Sequence, residues 1–283
     1  MRTWVFIACA LAPCLLQGAC HSNDVATTGS EPGDAAADPW ACLDQPPQVT
    51  SSSPVAITFK TFDALDPITT AGPTGGSDFT VVSFVPLPGI AIEGCTFSDT
   101  SCSMPATPVG TSDDAGEATL TVPDNFNGFF SLTRTNYLPL AHYPGPLLAD
   151  ASSFAPAVSM IEPQAAISLA EALGATAELD AGASVAAVFV EMYDCFDRYA
   201  AGVSLAMSAT DSTTVPFYIA SGLPSRTATQ TDSSGTGGAV NVPVGPLTVT
   251  ATLAATNRAL GSVEVVIRPG GATSAWIRAR THS

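Results

Sequence analysis

Lysine is almost missing from this chain: Lys60 is the only one in 283 residues, and lysine and arginine together supply 9 cationic side chains against 25 carboxylates. The formal net charge of −16 repels phosphate backbones and anionic headgroups, which excludes nucleic acid as a partner and electrostatic docking on membranes. Charged residues are only 12% of the chain and aromatic residues 7%. Histidine is nearly as scarce as lysine. His21, His142 and His282 fall in a polar segment, after a strand and near the end, so no Ser-His-Asp arrangement can be assembled. The sequence also lacks a GxSxG elbow, an HExxH helix, a P-loop lysine motif and any CxxC pair. These absences point away from an enzyme and from a resident metal or cofactor. Beyond residue 20, no apolar run reaches the ~20 residues that a helical membrane span requires.

What the sequence does contain begins at the N-terminus. Met1-Arg2 precedes an apolar run from Trp4 to Leu16, broken by Pro13, and Gly18-Ala19 stand before Cys20. This pattern predicts a signal peptide over residues 1–19. The tail Leu16-Gln17-Gly18-Ala19-Cys20 resembles the lipobox of bacterial lipoproteins, which implies acylation of Cys20. Acyl chains bury at ~0.8 kcal/mol per CH₂, enough for two or three of them to hold a protein on a membrane without a spanning segment. His21 in place of Asp after the cysteine implies sorting to the outer membrane or cell surface, with secretion as the outcome if Cys20 stays unacylated. Loss of Arg2 with the leader takes the formal charge from −16 to −17.

Residues 20–53 form the lipidated cysteine and a tether, polar and rich in Gly, Ala, Ser and Thr from His21 to Asp38. As a random coil the tether spans roughly 24 Å root-mean-square. Four cysteines follow: Cys42, Cys95, Cys102 and Cys195. An even number in an oxidising compartment predicts two disulfides, and four cysteines allow three pairings. Cys95 and Cys102 flank a short polar loop and favour a local bridge, which leaves Cys42 with Cys195.

The body reads as strands separated by turns. Val55–Lys60, Ala118–Val122 and Leu247–Leu253 each alternate an apolar face with a Thr-rich one, and Pro88-Gly89, Asp113–Gly116, Asn127-Gly128 and Asp232–Gly235 supply turn chemistry. The pattern occurs twice. Gly89-Ile90-Ala91-Ile92 matches Gly202-Val203-Ser204-Leu205, and Ser112–Gly116 followed by Ala118–Pro123 matches Thr231–Gly235 followed by Ala239–Pro243. This order resembles the carboxypeptidase regulatory-like, or prealbumin-like, family of β-sandwiches. The resemblance implies an all-β protein with two tandem seven-stranded sandwiches, over residues 54–160 and 184–283, joined by a helical connector at 161–183. Gly261–Gly270 resembles the closing strands of such a module. In the connector, Pro163 suits a first helical turn and Gly174 a helix end.

Several residues are candidates for function. Asp113, Asp114, Glu117 and Asp232 suit either calcium or plain Asx turns. Related adhesin modules carry an isopeptide lysine on the first strand, but alternation turns Lys60 outward, to a solvated position on an edge strand. Asp194, Asp197 and Arg198 around Cys195 suggest a buried ion pair, and Gly235–Gly238 suggests a flexible hairpin loop. Phe126, Phe129, Phe130, Tyr137, Tyr143, Phe217 and Tyr218 lie near loops, where exposed rings would suit sugars. The combined expectation is a non-catalytic envelope module, anchored to a membrane through its lipid, that contacts an envelope protein or, alternatively, binds polysaccharide.

Overall fold

A computed structural model describes residues 38–46, 53–64, 85–124, 126–147, 156–176 and 185–279. Cys20, the leader and most of the tether lie outside the described residues. The first half holds β1 (Val55–Asp63), β2 (Val85–Pro86), β3 (Ala91–Thr96), β4 (Gly110–Thr111), β5 (Glu117–Val122), β6 (Gly128–Thr133), β7 (Leu140–Tyr143) and β8 (Ala157–Met160). One α-helix, α1 (Pro163–Ala172), follows. The second half holds β9 (Val185–Tyr193), β10 (Val203–Met207), β11 (Val215–Ala220), β12 (Leu223–Ser225), β13 (Thr236–Pro243), β14 (Gly245–Leu253), β15 (Arg258–Ile267) and β16 (Ala272–Arg278). The protein is all-β, with a single short α-helix among the described residues. The run Gly261–Gly270 is the end of β15 and a turn, and β16 adds one more strand after it.

The sequence repeat is also a hydrogen-bond repeat. Gly89 (φ 74°) and Gly202 (φ 77°) each turn the chain into a strand, and their N–H groups donate to the carbonyls of Ser112 and Thr231, both at 2.9 Å. The hydroxyls of those two residues accept the N–H of Ile90 at 2.9 Å and of Val203 at 3.0 Å. They donate in turn to the carbonyls of Leu87 and Ala200. Gly116 and Gly235 close the following turns, at φ 74° and 62°, where an added Cβ would collide with the carbonyl of Thr61 in one half and of Met192 in the other. Only glycine combines that φ with so close an approach.

Strand pairing repeats as well. In the first half β1 lies between antiparallel β5 and parallel β8, and in the second half β9 lies between antiparallel β13 and parallel β16. The trio β3, β6, β7 corresponds to β10, β14, β15. The halves are fused where β16 also pairs with β7, from Ala272↔Leu140 to Ala275↔Tyr143, giving a nine-stranded sheet. Its two faces bury different cores, because successive side chains in a strand point to opposite sides. Phe130, Leu132 and Leu140 pack with Ile57, Phe59, Leu120 and Val122. Phe129, Ala141 and Tyr143 pack with Val249, Val263, Val265 and Ile267. Large apolar side chains of this kind contribute about 1.5–3 kcal/mol each when fully buried. The helix and its C-cap lay Ala170 and Leu173 on Ala187, Phe217, Ile219 and Val240, and Gly174 (φ 70°) follows.

Two expectations about strands are corrected here. Lys60 is solvated, but β1 is flanked on both sides: Lys60 is registered opposite Glu117 on β5 and Ala157 on β8. The Gly235–Gly238 run is not a flexible hairpin loop, because Gly237 and Gly238 lie within β13, between β9 and β11. A Cβ on Gly238 would collide with the Val188 carbonyl, and one on Gly237 would lie 2.8 Å from the Tyr218 ring. These glycines serve close approach in an interior strand. Among the described residues no helix is long and apolar enough to cross a membrane.

Candidate functional site

The fusion of the halves creates a cleft. β7 ends at Tyr143 while β16 runs on to Arg278, so the sheet parts there and leaves a space of about 170 Å³. Phe97, Asn127, Tyr143 and Pro146 of the first half form one wall, Gly261–Glu264 of β15 the other, and Trp276–Arg278 the floor. Phe97 meets the Tyr143 ring edge-on at 6.3 Å. The loop that carries Phe97 is closed by Cys95–Cys102 and held by Asp99, whose carboxylate accepts the Met104 N–H at 2.7 Å and the Ser101 hydroxyl at 2.9 Å. These bonds lower the Asp99 pKa to about 2.

Beside the floor lies a buried polar cluster that sequence reading missed. Glu191 is 9% exposed and accepts the Tyr193 hydroxyl at 2.6 Å, with the Trp276 indole as a second partner. Burial pushes its carboxyl from the ordinary 4.5 up to about 7. Tyr193 stacks on Tyr199 at 5.1 Å, and the Arg278 guanidinium lies 4.8 Å from the Trp276 ring. His142 is not after a strand but within β7 and fully buried. It touches Trp276 at 4.9 Å and Ser274 Oγ at 3.3 Å, and burial, then Arg278, lowers its pKa to about 3. The one available signal was a lone carboxylate in the apolar run Val188-Phe189-Val190-Glu191-Met192.

The cluster predicts a pH dependence. Glu191 binds its proton more tightly folded than unfolded, so its contribution is complete below about pH 4.5 and is lost as the pH rises through 7. His142 behaves oppositely, contributing fully above its ordinary 6.5 and losing this as the pH falls toward 3. The two slopes offset each other between these limits. Glu191→Gln removes one of them, so between pH 5 and 7 the variant is expected to gain on the wild type by up to about 1.4 kcal/mol per pH unit, most steeply near pH 6. Urea midpoints across this range measure the difference, and parallel curves would show that Glu191 titrates normally.

The other sequence-derived candidates are accounted for by local structure. The bridges Cys42–Cys195 and Cys95–Cys102 both form, with Cα separations of 5.6 and 5.2 Å. Glu93 lies near Cys95 and Cys102, but those sulfurs are bonded to each other and cannot act as thiolate ligands. Asp113 Oδ1 accepts the N–H of Ala115 and of Glu117, both at 2.9 Å, and Asp232 accepts those of Ser234 and Ser221, both at 2.8 Å. The Asp113 bonds and the Asp232–Ser234 bond are turn bonds, and the Asp232–Ser221 bond ties this turn to the one between β11 and β12. Lys60 pairs with Glu117 at 3.1 Å, both side chains nearly half exposed. Asp194 is buried and bonds Arg198 at 2.8 Å, but the Arg198 side chain is 63% exposed, so only the acid of this pair is buried.

The aromatic residues expected at loops are core residues. Phe126, Phe129, Phe130, Tyr143, Phe217 and Tyr218 are all buried, and half-buried Tyr137 donates its hydroxyl to Asp63 at 2.8 Å. They offer no exposed platform for sugar rings.

No family model matches the chain, and no curated protein matches it. Among solved structures, the shaft pilin SpaA of Lactobacillus rhamnosus GG is 15% identical, with 81% of this chain and 98% of that one covered and a TM-score of 0.23. The Bacillus anthracis TIE protein is 12% identical over 80% of this chain and 34% of its own, with a TM-score of 0.26. The minor pilin of Streptococcus agalactiae is 14% identical over 79% and 94%, with a TM-score of 0.23. These values are too low for shared fold or function to follow.

Proposed function

We propose that the chain is a non-catalytic envelope lipoprotein, anchored through Cys20 at the outer membrane or cell surface, whose two prealbumin-like halves act as one block that contacts other envelope proteins. The observation that carries this reading is the fused architecture itself. Among the described residues nine strands run through both halves, while the smaller sheet built on β14 has a flank at the cleft with no paired strand. Open flanks are where sheet proteins recruit extended partners. The polar groups that suggested chemistry are engaged in turns, bridges and a buried cluster, and the rings that suggested glycan binding fill the cores.

The test uses oxidised protein from His21 onward, offered to detergent extracts and to isolated polysaccharide of its own envelope. Retention of one protein at near-stoichiometric yield, with no saturable glycan binding, is the expected result. Saturable retention of glycan with no protein captured overturns the reading.

A further inference from the structure

The flank of β15 that borders the cleft has outward backbone groups, and existing bonds identify them. The Tyr143 hydroxyl accepts the Val266 N–H at 3.0 Å and lies 3.4 Å from the Val266 carbonyl, so Val266 directs both groups away from β14. Thr248, registered opposite Glu264, exchanges both of its groups with Ser208 on its other side, at 2.9 and 2.8 Å. Alternate pairs of an antiparallel ladder turn away from each other. Glu264 and Ser262, in step with Val266, therefore present their N–H and C=O groups to the cleft. Both residues are exposed. Tyr143 caps one rung of this edge, and among the described residues no strand pairs with the next two.

We propose that the β15 edge at Ser262 and Glu264 receives one extended segment of a partner polypeptide, which joins the three-stranded sheet as an added strand and carries lysine or arginine opposite Glu264. This rests on the reading of the chain as an interaction module. Main-chain bonds supply affinity in such an addition, and alternate side chains supply selectivity. The charge of the strand follows from complementarity: Glu264 stands on the edge of a chain of net charge −16, and opposite charges across a strand pair are favourable. An acidic strand, or the same edge of a second copy, sets carboxylate against carboxylate. Side chains on the face of Val263 enter the space beside Tyr143 and Ile277, a cleft that Asn127 and Arg278 also line.

The test titrates the oxidised protein with short blocked peptides that alternate Lys, Val and Thr, and follows the Ser262 and Glu264 amides by NMR and hydrogen exchange. Binding that protects both amides is expected. Replacing each peptide Lys by Glu, or N-methylating the strand on its bonding side, is expected to weaken binding by at least about tenfold. Ser262→Pro removes one outward N–H and is expected to do the same, while Ser262→Ala binds like the wild type. The N-methylated peptide keeps the test valid if the proline variant does not fold. No binding, equal binding of the Glu peptide, or equal loss with Ser262→Ala each overturns the proposal. So does protection of both amides in the free protein: at every dilution it would assign the edge to residues 21–37, and only at high concentration to a second copy. If the peptides fail while an envelope protein is still captured, this site falls and the functional reading stands.

Discussion

Phe130→Ala is expected to destabilise the protein by about 3–5 kcal/mol, the range for emptying an aromatic site in a core. Phe130 is fully buried, with Phe59 at 4.7 Å and Phe126 at 5.3 Å between ring centroids. It stands on the fused sheet within the first-half core, so the neighbouring rings cannot collapse into the space without moving strands. Phe196→Ala is the control. That ring is 49% exposed, with Arg198 stacked on it at 4.8 Å, and its loss is expected to cost under about 1 kcal/mol. Urea midpoints of the two variants at one pH measure the contrast. Similar small losses for both would mean that Phe130 is a surface ring and would return the glycan reading to contention.

The second large effect belongs to Cys42–Cys195. This bridge closes a loop with a sequence separation of 153 residues, whereas Cys95–Cys102 closes one of 7. By loop-closure entropy the long bridge contributes about 5 kcal/mol and the short one about 2.5 kcal/mol. Converting each pair to serine and comparing denaturant midpoints tests the ratio. The long bridge also has local support, since the Cys195 N–H donates to the Pro39 carbonyl at 3.0 Å and Arg258 bonds Asp44. These bonds are expected to keep the segment around Trp40 docked when the bridge is removed, with the Leu43 amide still protected, so that the full loop-closure term is lost. Equal losses from the two variants would contradict the loop-closure account.

The repeat was legible in the sequence because its turns demand particular residues. A positive φ against a carbonyl needs Gly116 or Gly235, and the hydroxyl that links two strands needs Ser112 or Thr231. The disulfides followed from an even cysteine count and one short loop. The fusion of β7 to β16 left no such mark, because parallel pairing between distant strands is set by register and burial, not by a local motif. Nearness to a turn likewise says little about exposure: Phe129 and Phe130 follow Gly128 directly, yet one fills each face of the fused sheet. The open edge of β15 was invisible for a related reason. Whether a strand is interior or flanking depends on what pairs with it, and among the described residues β15 pairs only with β14.

The most direct measurement is site-specific photocrosslinking in intact envelopes, with the reactive side chain placed at Ser262 and, separately, at exposed Thr119 on β5. The expected result is one discrete adduct to an envelope protein from position 262 and none from position 119. Adducts from position 119 alone, or none at either position alongside saturable polysaccharide binding, would contradict the reading of this chain as a protein-contacting module.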